Sequence, residues 1–600
     1  MMKTTPFRNV YQLYRYLWRE SPFVTLLIVI TTITTGFIPG VELWMIGELV
    51  DQVHHWFERQ NQETFSPVYL SLSLLIAFMF IRYIFREASE LLMEYLSERV
   101  LGQLQHQIIT KGYEMDLSFY DEEESYNQLQ RAKFGLENRL SDLYRNTLSI
   151  FEHLVTAGTL LITLILGHWI LGPLVLLASV PSLWLKVRRS KDHFEFDYKV
   201  LTPIRRQLDY YGQVFTDKGF AKEIRLFQLQ QHFIKRWKLY KTQHQKNMLR
   251  NEILEIKSSA INEIVLNLLL AIISGIIILL ILGKKLSLGA FVVMFQAAIR
   301  FQQELETSMG IFRDVYENGM FAQNLFHFLE QPIHKPLNGS HPFPQPIQYG
   351  IRFEDVWFRY PNNNKWVLQG VSFEVHPGET ISFVGENGSG KTTVMKLLLG
   401  LYTPQQGCIY IDNIPLLSFD QNTLREHFSA IFQDYTHFQL PLNENISIGN
   451  MKFSDNQERI KEVAVRSGVA EFVDDLEKGY ETMLGKAFGG TELSGGQWQK
   501  IALARSLMRD VDILILDEPT ASLDPRAELL VFEKFAELAK HQTTFLVSHR
   551  IGTARLSDRI FVLKDGKLLE NGTHDQLIDY KGEYAKLFSI QAAWYKEGGR

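Results

Sequence analysis

Six long apolar runs fall near 23–50, 67–86, 144–167, 169–187, 260–283 and 286–312, all before residue 313. Most hold about 20 apolar or small residues, the length at which a helix crosses a hydrocarbon core of ~30 Å. One of them, Ile261 to Gly283, reads INEIVLNLLLAIISGIIILLILG. Runs of this kind, clustered and separated by charged stretches, exclude an ordinary soluble domain. Yet the whole chain is only 46% apolar, an average value for a soluble protein. The remainder must therefore be water-soluble, and 600 residues are too many for one ordinary domain. The expected division is a six-helix membrane domain over 1–330, a linker over 331–350 and a second domain over 351–600.

The first run is too long for a cleaved signal, and no A-x-A-like site follows it. Ahead of it, Val10, Leu13, Tyr14, Leu17 and Trp18 recur at helical spacing, with Arg8, Arg15 and Arg19 between them. That pattern predicts an amphipathic helix, lying either along a membrane surface or against protein. The long connections between runs carry Lys186, Arg188, Arg189, Lys191, Arg205 and Arg206, which places them and both termini in the cytoplasm. Lys284 and Lys285 then fall outside, against the trend. The long connections read as helices running on into water, since structureless loops of that length are uncommon. Short transverse elements are expected at Leu117 to Leu129 and near Tyr210 to Ala221. Glu42, Arg82, Glu263, Arg300 and Glu304 sit within the runs. A charge at membrane depth is costly and faces a partner or a cavity, so these are substrate-pathway candidates; Arg82, Arg300 and Glu304 also suit a membrane boundary.

The formal net charge of −5 gives no argument for a nucleic-acid partner. A single cysteine, Cys408, excludes an intrachain disulfide framework and any multi-cysteine metal site. The segment QPIHKPLNGSHPFPQPIQYG, 331–350, is rich in Pro and polar residues and reads as a linker. Beyond it, short apolar strands alternate with helical patterns, as in an α/β domain with a largely parallel core sheet.

Six places in that domain carry chemistry. ETISFVGENGSGKTTVMKLLLG, Glu379 to Gly400, is strand, glycine-rich turn and helix, and contains G-x4-G-K-T. Gly385, Gly388 and Gly390 let backbone N–H groups wrap phosphates. Lys391 brings positive charge to the β- and γ-phosphates, and Thr392 offers a hydroxyl to Mg²⁺. DILILDEPTASLD, Asp512 to Asp524, is a buried strand ending in two acids. Asp517 is set to hold Mg²⁺, directly or through water, and Glu518 to orient or deprotonate an attacking water. TTFLVSHR ends in His549, which either reaches the γ-phosphate or is structural. IFQDYTHFQLP carries Gln433 at another strand end, either a Mg²⁺ ligand or a common polar cap. Tyr360 can stack on a flat base. Finally, ELSGGQWQKIALAR opens a helix with Ser-Gly-Gly, a second anion-suited end about a hundred residues past the first cradle.

In combination and order, these motifs resemble ATP-binding cassette (ABC) transporters, specifically bacterial half-transporters of the exporter type. The resemblance covers nearly the whole chain. It implies a six-span helical membrane domain, domain-swapped in a dimer, followed by an α/β P-loop nucleotide-binding domain. Tyr360 matches the adenine-stacking aromatic. Gly385, Glu386, Asn387, Gly388, Ser389, Gly390, Lys391, Thr392 and Thr393 match the Walker A loop. Gln433 matches the Q-loop glutamine, and Asp517 and Glu518 match the Walker B aspartate and the catalytic glutamate. Ser522 to Asp524 matches the D-loop, and His549 the switch histidine. The resemblance thus makes Glu518, His549 and Gln433 catalytic and Thr392, Gln433 and Asp517 metal-binding, with ATP and Mg²⁺ as the bound groups. The elements at 117–129 and 210–221 match the coupling helices.

Leu493 to Gln497, LSGGQ, is the family signature. In that family Ser494, Gly495, Gly496 and Gln497 of one copy meet the γ-phosphate of ATP held by the other copy, with Asp524 at the same dimer interface. The partner implied is a second half-transporter, most simply an identical chain; a different half-transporter stays open. One stretch departs from the family. Many exporters carry T-x-[VIL]-G-E-x-G just before the signature, whereas this chain reads TMLGKAFGGTELSGGQ, with Lys486 in place of the acid. With Trp498, this form is similar to exporters of lanthipeptides and related modified peptides. The expectations are a plasma-membrane exporter of a peptide, with a lipid, glycolipid or drug as the alternative cargo and a non-transporting ATPase sensor as another. No peptidase domain precedes the first run, so no leader cleavage is expected of this chain.

Overall fold

The computed structural model describes residues 6–58, 66–196, 200–283, 286–332, 339–517, 542–547 and 554–597. The chain divides into two compact units, one formed by Met1–Tyr113 and Asn127–Gln331, the other by Glu114–Tyr126 and Pro332–Arg600.

The first unit is helical. Its helices are α1 (Pro6–Glu20), α2 (Pro22–Glu58) and α3 (Ser66–Glu114). The short α4 (Leu117–Asp121) belongs to the second unit; after it come α5 (Glu123–Gly167), α6 (Leu171–Phe196), α7 (Thr202–Thr216), α8 (Lys218–Leu226), α9 (Gln230–Leu282) and α10 (Leu288–Glu330). At ~1.5 Å per residue, the 49 residues of α3 and the 53 of α9 outrun a ~30 Å core more than twofold. Among the described residues, four helices are long and apolar enough to cross a membrane: α2, α3, α5 and α9. The other two apolar runs also lie on helices. The apolar part of α6 is only Leu171–Pro181. Arg300, Gln302, Gln303, Glu304 and Glu306 interrupt the apolar stretch of α10.

The unit closes around Leu43 of α2, Leu160 and Leu164 of α5, Val175 of α6, Ile273 and Ile277 of α9, and Met294, Ala298 and Phe301 of α10. Where α2 meets α10, a Cβ on Gly289 would run into the carbonyl of Gly47, so glycine permits the close approach. Asp51 then ties the two helices, accepting from Ser287 Oγ at 2.6 Å and from Gly289 N–H at 2.7 Å.

The amphipathic helix is α1, and of its two expected placements the structure adopts the one against protein. Leu13 and Leu17 are fully buried, and α1 packs on α10 and α2. Trp18, at the edge of the same stripe, stays 52% exposed. The two short transverse elements are more sharply bounded than expected. The first stops at Asp121 because α5 restarts at Glu123, whose acids favour the positive end of a new helix. The second begins at Asp217, whose carboxylate caps α8 by accepting from Gly219 N–H at 2.8 Å, and it runs on to Leu226. Lys284 and Lys285 lie outside the described residues.

The second unit holds two sheets. An antiparallel sheet, not anticipated from the sequence, runs β2-β1-β4-β5, from β1 (Ile351–Phe358), β2 (Leu368–Val375), β4 (Gln406–Ile411) and β5 (Ile414–Pro415). The core sheet runs β10-β9-β3-β8-β7-β6, from β3 (Thr380–Val384), β6 (Phe428–Ile431), β7 (Ile513–Asp517), β8 (Thr543–Val547), β9 (Arg559–Lys564) and β10 (Lys567–Gly572). All its neighbours pair in parallel except the β9–β10 edge. Phe353, Phe373, Phe383 and Phe561 fill the space between the sheets, with α11 (Lys391–Leu398). After α12 (Gln421–Glu426), a helical cluster of α13 (Leu442–Ser447), α14 (Gln457–Ser467), α15 (Ala470–Val473) and α16 (Gly495–Leu507) packs its own core around Ile446, Val463, Trp498, Ile501 and Met508. Two final helices, α17 (His574–Tyr580) and α18 (Glu583–Glu597), cover β9 and β10.

Candidate functional site

Parallel strands collect the chemistry at one edge of the sheet. β3, β8, β7 and β6 are neighbours, so their carboxyl ends converge, where the binding crevice of such a sheet usually lies. Val547 pairs with both Phe383 and Asp517, which sets the ends of β3, β8 and β7 level.

The phosphate loop leaves β3 at Gly385. This residue has φ of 155°, and a Cβ there would strike the carbonyl of Leu563. Gly390 opens α11 in the left-handed conformation, φ 106°. Lys391 is only 5% exposed, and its Nζ donates to the carbonyls of Gly385 at 2.8 Å and Glu386 at 2.9 Å, so the loop curls around its own lysine. Thr392 Oγ1 donates to Asp517 Oδ1 at 3.2 Å. A hydroxyl and a buried carboxylate so placed form a hard oxygen donor set, which suits Mg²⁺. Inside the curl the Ser389 hydroxyl is buried without a hydrogen-bond partner, as a loop shaped for an added acceptor leaves it. The residues present therefore fit a magnesium nucleotide.

Tyr360 lies beside this helix. Its hydroxyl is 3.1 Å from Thr393 Oγ1, and Lys396 Nζ sits 5.7 Å from its ring centroid. Tyr402 braces it edge-on at 5.3 Å and donates to Asp121 of α4 at 2.5 Å. Burial, then that carboxylate, raises the Tyr402 phenol above its ordinary range. Gln433 is exposed two residues beyond β6. Glu518, Asp524 and His549 lie outside the described residues.

The signature is a separate construction. Ser494 caps α16, accepting from Gln497 N–H at 3.3 Å, while the Gln497 side chain accepts from Ser494 N–H at 2.9 Å. This reciprocal cap holds the helix end open, with Ser494 and Gly495 exposed. The departing loop before it is ordered: Lys486 pairs with Glu492, and Ala487 N–H donates to Gln439 Oε1 at 3.0 Å.

Sequence reasoning did not find Tyr402, Tyr435 or Arg505. Tyr435 Oη donates to the Gly495 carbonyl at 3.1 Å, and Arg505 Nη1 to the Thr436 carbonyl at 2.7 Å. Partners about sixty positions apart leave no spacing signal.

In the membrane unit, Arg82 Nη1 lies 2.6 Å from Glu42 Oε2 and Arg300 Nη1 lies 3.7 Å from the same oxygen. Glu304 meets His153 Nδ1 at 2.5 Å. Glu263 is exposed and bonded only locally, to Asn267 at 3.4 Å. The structure thus joins Glu42, Arg82 and Arg300 and leaves Glu263 apart.

Residues 368–521 match the family described as ABC transporter. Across nearly the whole length, a bacterial Atm1-family ABC exporter with ATP bound shares the fold, with TM-score 0.74 at 21% identity, covering 94% of this chain and 98% of that one. Residues 368–521 thus match the ATP-binding part of an ABC transporter, within a chain that has the exporter fold. Among its relatives, the subtilin transport ATP-binding protein SpaT of Bacillus subtilis is 28% identical over 93% of this chain and 90% of its own length. The ATP-dependent lipid A-core flippase of Alkalilimnicola ehrlichii is 28% identical over 91% of each, and flippases of the same name from four further bacteria also match. The chain binds ATP with Mg²⁺ and hydrolyses ATP to drive transport. It is a multi-pass membrane protein with a cytoplasmic nucleotide-binding domain, and its fold implies a second half.

Proposed function

We propose that two copies of this chain form an exporter that moves an amphiphile with an acidic headgroup, a lipid or glycolipid, out across a bacterial plasma membrane. The observation that carries the cargo class is the Glu42–Arg82–Arg300 cluster. Its carboxylate is 7% exposed and is shared by two arginines that are 40% and 34% exposed. Among the described residues these two ion pairs set a single carboxylate against two arginines. At membrane depth such a charge faces a partner or a cavity, and a phosphate or carboxylate headgroup would complete it. The recurrence of lipid A-core flippases among the relatives supports the same class.

The domains are read as 1–330, 331–350 and 351–600, with six spans and both termini in the cytoplasm. The windows that qualify α3 and α9 for membrane crossing are only 6% and 18% buried within one chain, which supports covering them with lipid and a swapped second copy. In the nucleotide site, Lys391 and the N–H groups of Gly385 to Thr393 hold the phosphates, and Tyr360 stacks on the base. Thr392, Asp517 and Gln433 hold Mg²⁺, which supplies charge neutralisation at the phosphates when bound. Glu518 orients and deprotonates the attacking water, and His549 contacts the γ-phosphate. Ser494, Gly495, Gly496 and Gln497 close the site of the other copy, and Asp524 lies between the copies. Closure of the cassettes turns the membrane cavity outward, and hydrolysis resets it. The Glu518→Gln chain is expected to bind ATP and scarcely hydrolyse it; normal turnover in that chain would remove the assignment.

The second reading keeps a modified peptide as cargo, favoured by the likeness to the subtilin transporter and by the Lys486 loop with Trp498. Reconstitution into vesicles separates the two. An acidic glycolipid is expected to stimulate hydrolysis and to be moved across the bilayer, and Arg82→Ala with Arg300→Ala to abolish that stimulation. Stimulation by a lanthipeptide precursor alone, unaffected by those substitutions, would instead establish the peptide reading.

A further inference from the structure

Helix α1 carries its charge on one side. At ~100° per residue, Arg8, Tyr11, Arg15, Trp18 and Arg19 fall within about 100° of arc, and all five are exposed. Leu13 and Leu17 face the other way, into the protein. Beside the basic stripe, between α1 and α10, lies a cleft of 150 Å³, lined chiefly by Gln12, Arg15, Tyr16 and Arg19 of α1 and by Phe326 and Glu330 of α10. That is far more than the ~10–15 Å³ a single water needs.

Fixed contacts shape the cleft. Asn9, 3% exposed, donates to the Gly319 carbonyl at 2.8 Å and pins α1 to α10. The Tyr16 ring stacks on buried Phe326, with centroids 6.1 Å apart, and its hydroxyl donates to Gln107 Oε1 at 3.3 Å. Lys111, itself buried, closes the end of α10 by donating to the Leu329 and Gln331 carbonyls, both at 2.6 Å. The neighbouring acids are engaged. Glu330 accepts from Gln12 Nε2 at 2.6 Å and meets Arg8 at 3.5 Å, and Glu20 pairs with Arg99 at 3.7 Å. Among the described residues, Arg15 and Arg19 have no ion-pair partner. Arg19 stands within one helical turn of Pro22, where α2 starts, and α10 leads on to the cytoplasmic nucleotide-binding domain. The cleft therefore lies at the cytoplasmic membrane surface, the level of lipid phosphates, which suits both arginines and exposed Tyr and Trp rings.

We propose that this cleft binds the phosphate of an acidic phospholipid of the cytoplasmic leaflet, with Arg15 and Arg19 as donors and Tyr11 and Trp18 against the glycerol and upper acyl chains. Free phosphate offers the guanidiniums the same oxygens, but only a lipid also uses the two exposed rings. The site involves none of Glu42, Arg82 and Arg300, so it does not depend on which cargo is moved.

The test uses the full-length protein in a neutral detergent and a fluorescent phosphatidylglycerol, read by anisotropy, with phosphatidylcholine and glycerol phosphate as competitors. The native chain is expected to hold phosphatidylglycerol roughly tenfold more tightly than phosphatidylcholine. Glycerol phosphate should scarcely compete. Arg15→Gln with Arg19→Gln removes both charges and keeps good helix formers. It should erase the preference and leave basal ATP hydrolysis unchanged. Lys235→Ala with Lys238→Ala removes equal charge from exposed positions of α9 and should keep the preference. If the double-arginine variant fails to fold, Arg19→Gln alone, with a loss of about threefold, carries the test. No headgroup preference in the native chain, or one that survives loss of both arginines, would overturn the site, as would an equal loss in the lysine variant. Equal competition by glycerol phosphate would overturn the lipid and make free phosphate the ligand.

Discussion

The two anion sites of this chain are built on opposite plans. The phosphate loop is enclosed: Lys391 is buried and bonded to its own loop, and Thr392 reaches Asp517 across the end of the sheet. The signature is exposed, a helix end kept open by the Ser494–Gln497 cap. The first has the charge, metal ligands and enclosure to hold a nucleotide within one chain. The second has only backbone N–H groups and a hydroxyl, enough to recognise a phosphate that something else holds. On the proposed reading the second is half of a pair, which needs geometry more than affinity. The segment from Tyr435 to Phe438 packs beside the signature through Gly495 and Trp498.

The largest expected effects separate the sites outright. Lys391→Ala should lose both ATP binding and hydrolysis, whereas Ser494→Arg should keep binding and lose hydrolysis by roughly 100-fold or more. Equal loss of binding in both, measured by analogue fluorescence, would erase the distinction. Asp517→Asn comes next. It removes charge from the metal ligands, so the Mg²⁺ concentration for half-maximal hydrolysis should rise about tenfold or more while binding of metal-free nucleotide holds. An unchanged Mg²⁺ dependence would move the metal elsewhere. Ser494→Ala removes the cap together with the hydroxyl offered to the phosphate. Loss of an N-cap should cost about 1 kcal/mol, lower Tm by a few degrees and leave P-loop binding intact.

The smallest effect is a pH dependence at His437, beside the signature helix. Burial first, and Arg505 second, push His437 below the ordinary histidine range, and burial lowers Arg505 itself to about 10. The folded protein then resists a proton that the unfolded chain accepts. His437 thus imposes no cost above the unfolded pKa of ~6.5, and stability falls as pH drops through it. His437→Gln should flatten that part of the Tm-versus-pH curve, and an unaltered slope would show that His437 does not titrate this way.

Legibility followed the same division. The phosphate loop and the strand ending in Asp517 were plain in the sequence because each packs its chemistry into one contiguous stretch, with glycines required by backbone conformation. The apolar runs were plain for a similar reason: lipid constrains every residue of a span. What escaped was assembled from distant parts. Tyr435 and Gly495, His437 and Trp498, and Asp121 and Tyr402 meet only through tertiary packing, and no spacing encodes them. Glu42, Arg82 and Arg300 were visible as costly charges, but that they share one carboxylate oxygen was not. The stripe of α1 was read correctly as amphipathic; periodicity alone cannot distinguish lipid from protein as its cover.

The most direct measurement joins the two sites chemically. Two differently tagged chains, both with Cys408→Ser and Glu518→Gln, would carry Asn387→Cys in one and Ser494→Cys in the other, with a short bismaleimide added. The prediction is a cross-link between the two tags that forms with ATP and Mg²⁺ and fades without them. No cross-link between tags, or one indifferent to ATP, in chains that bind the nucleotide would contradict a signature that completes its partner's site.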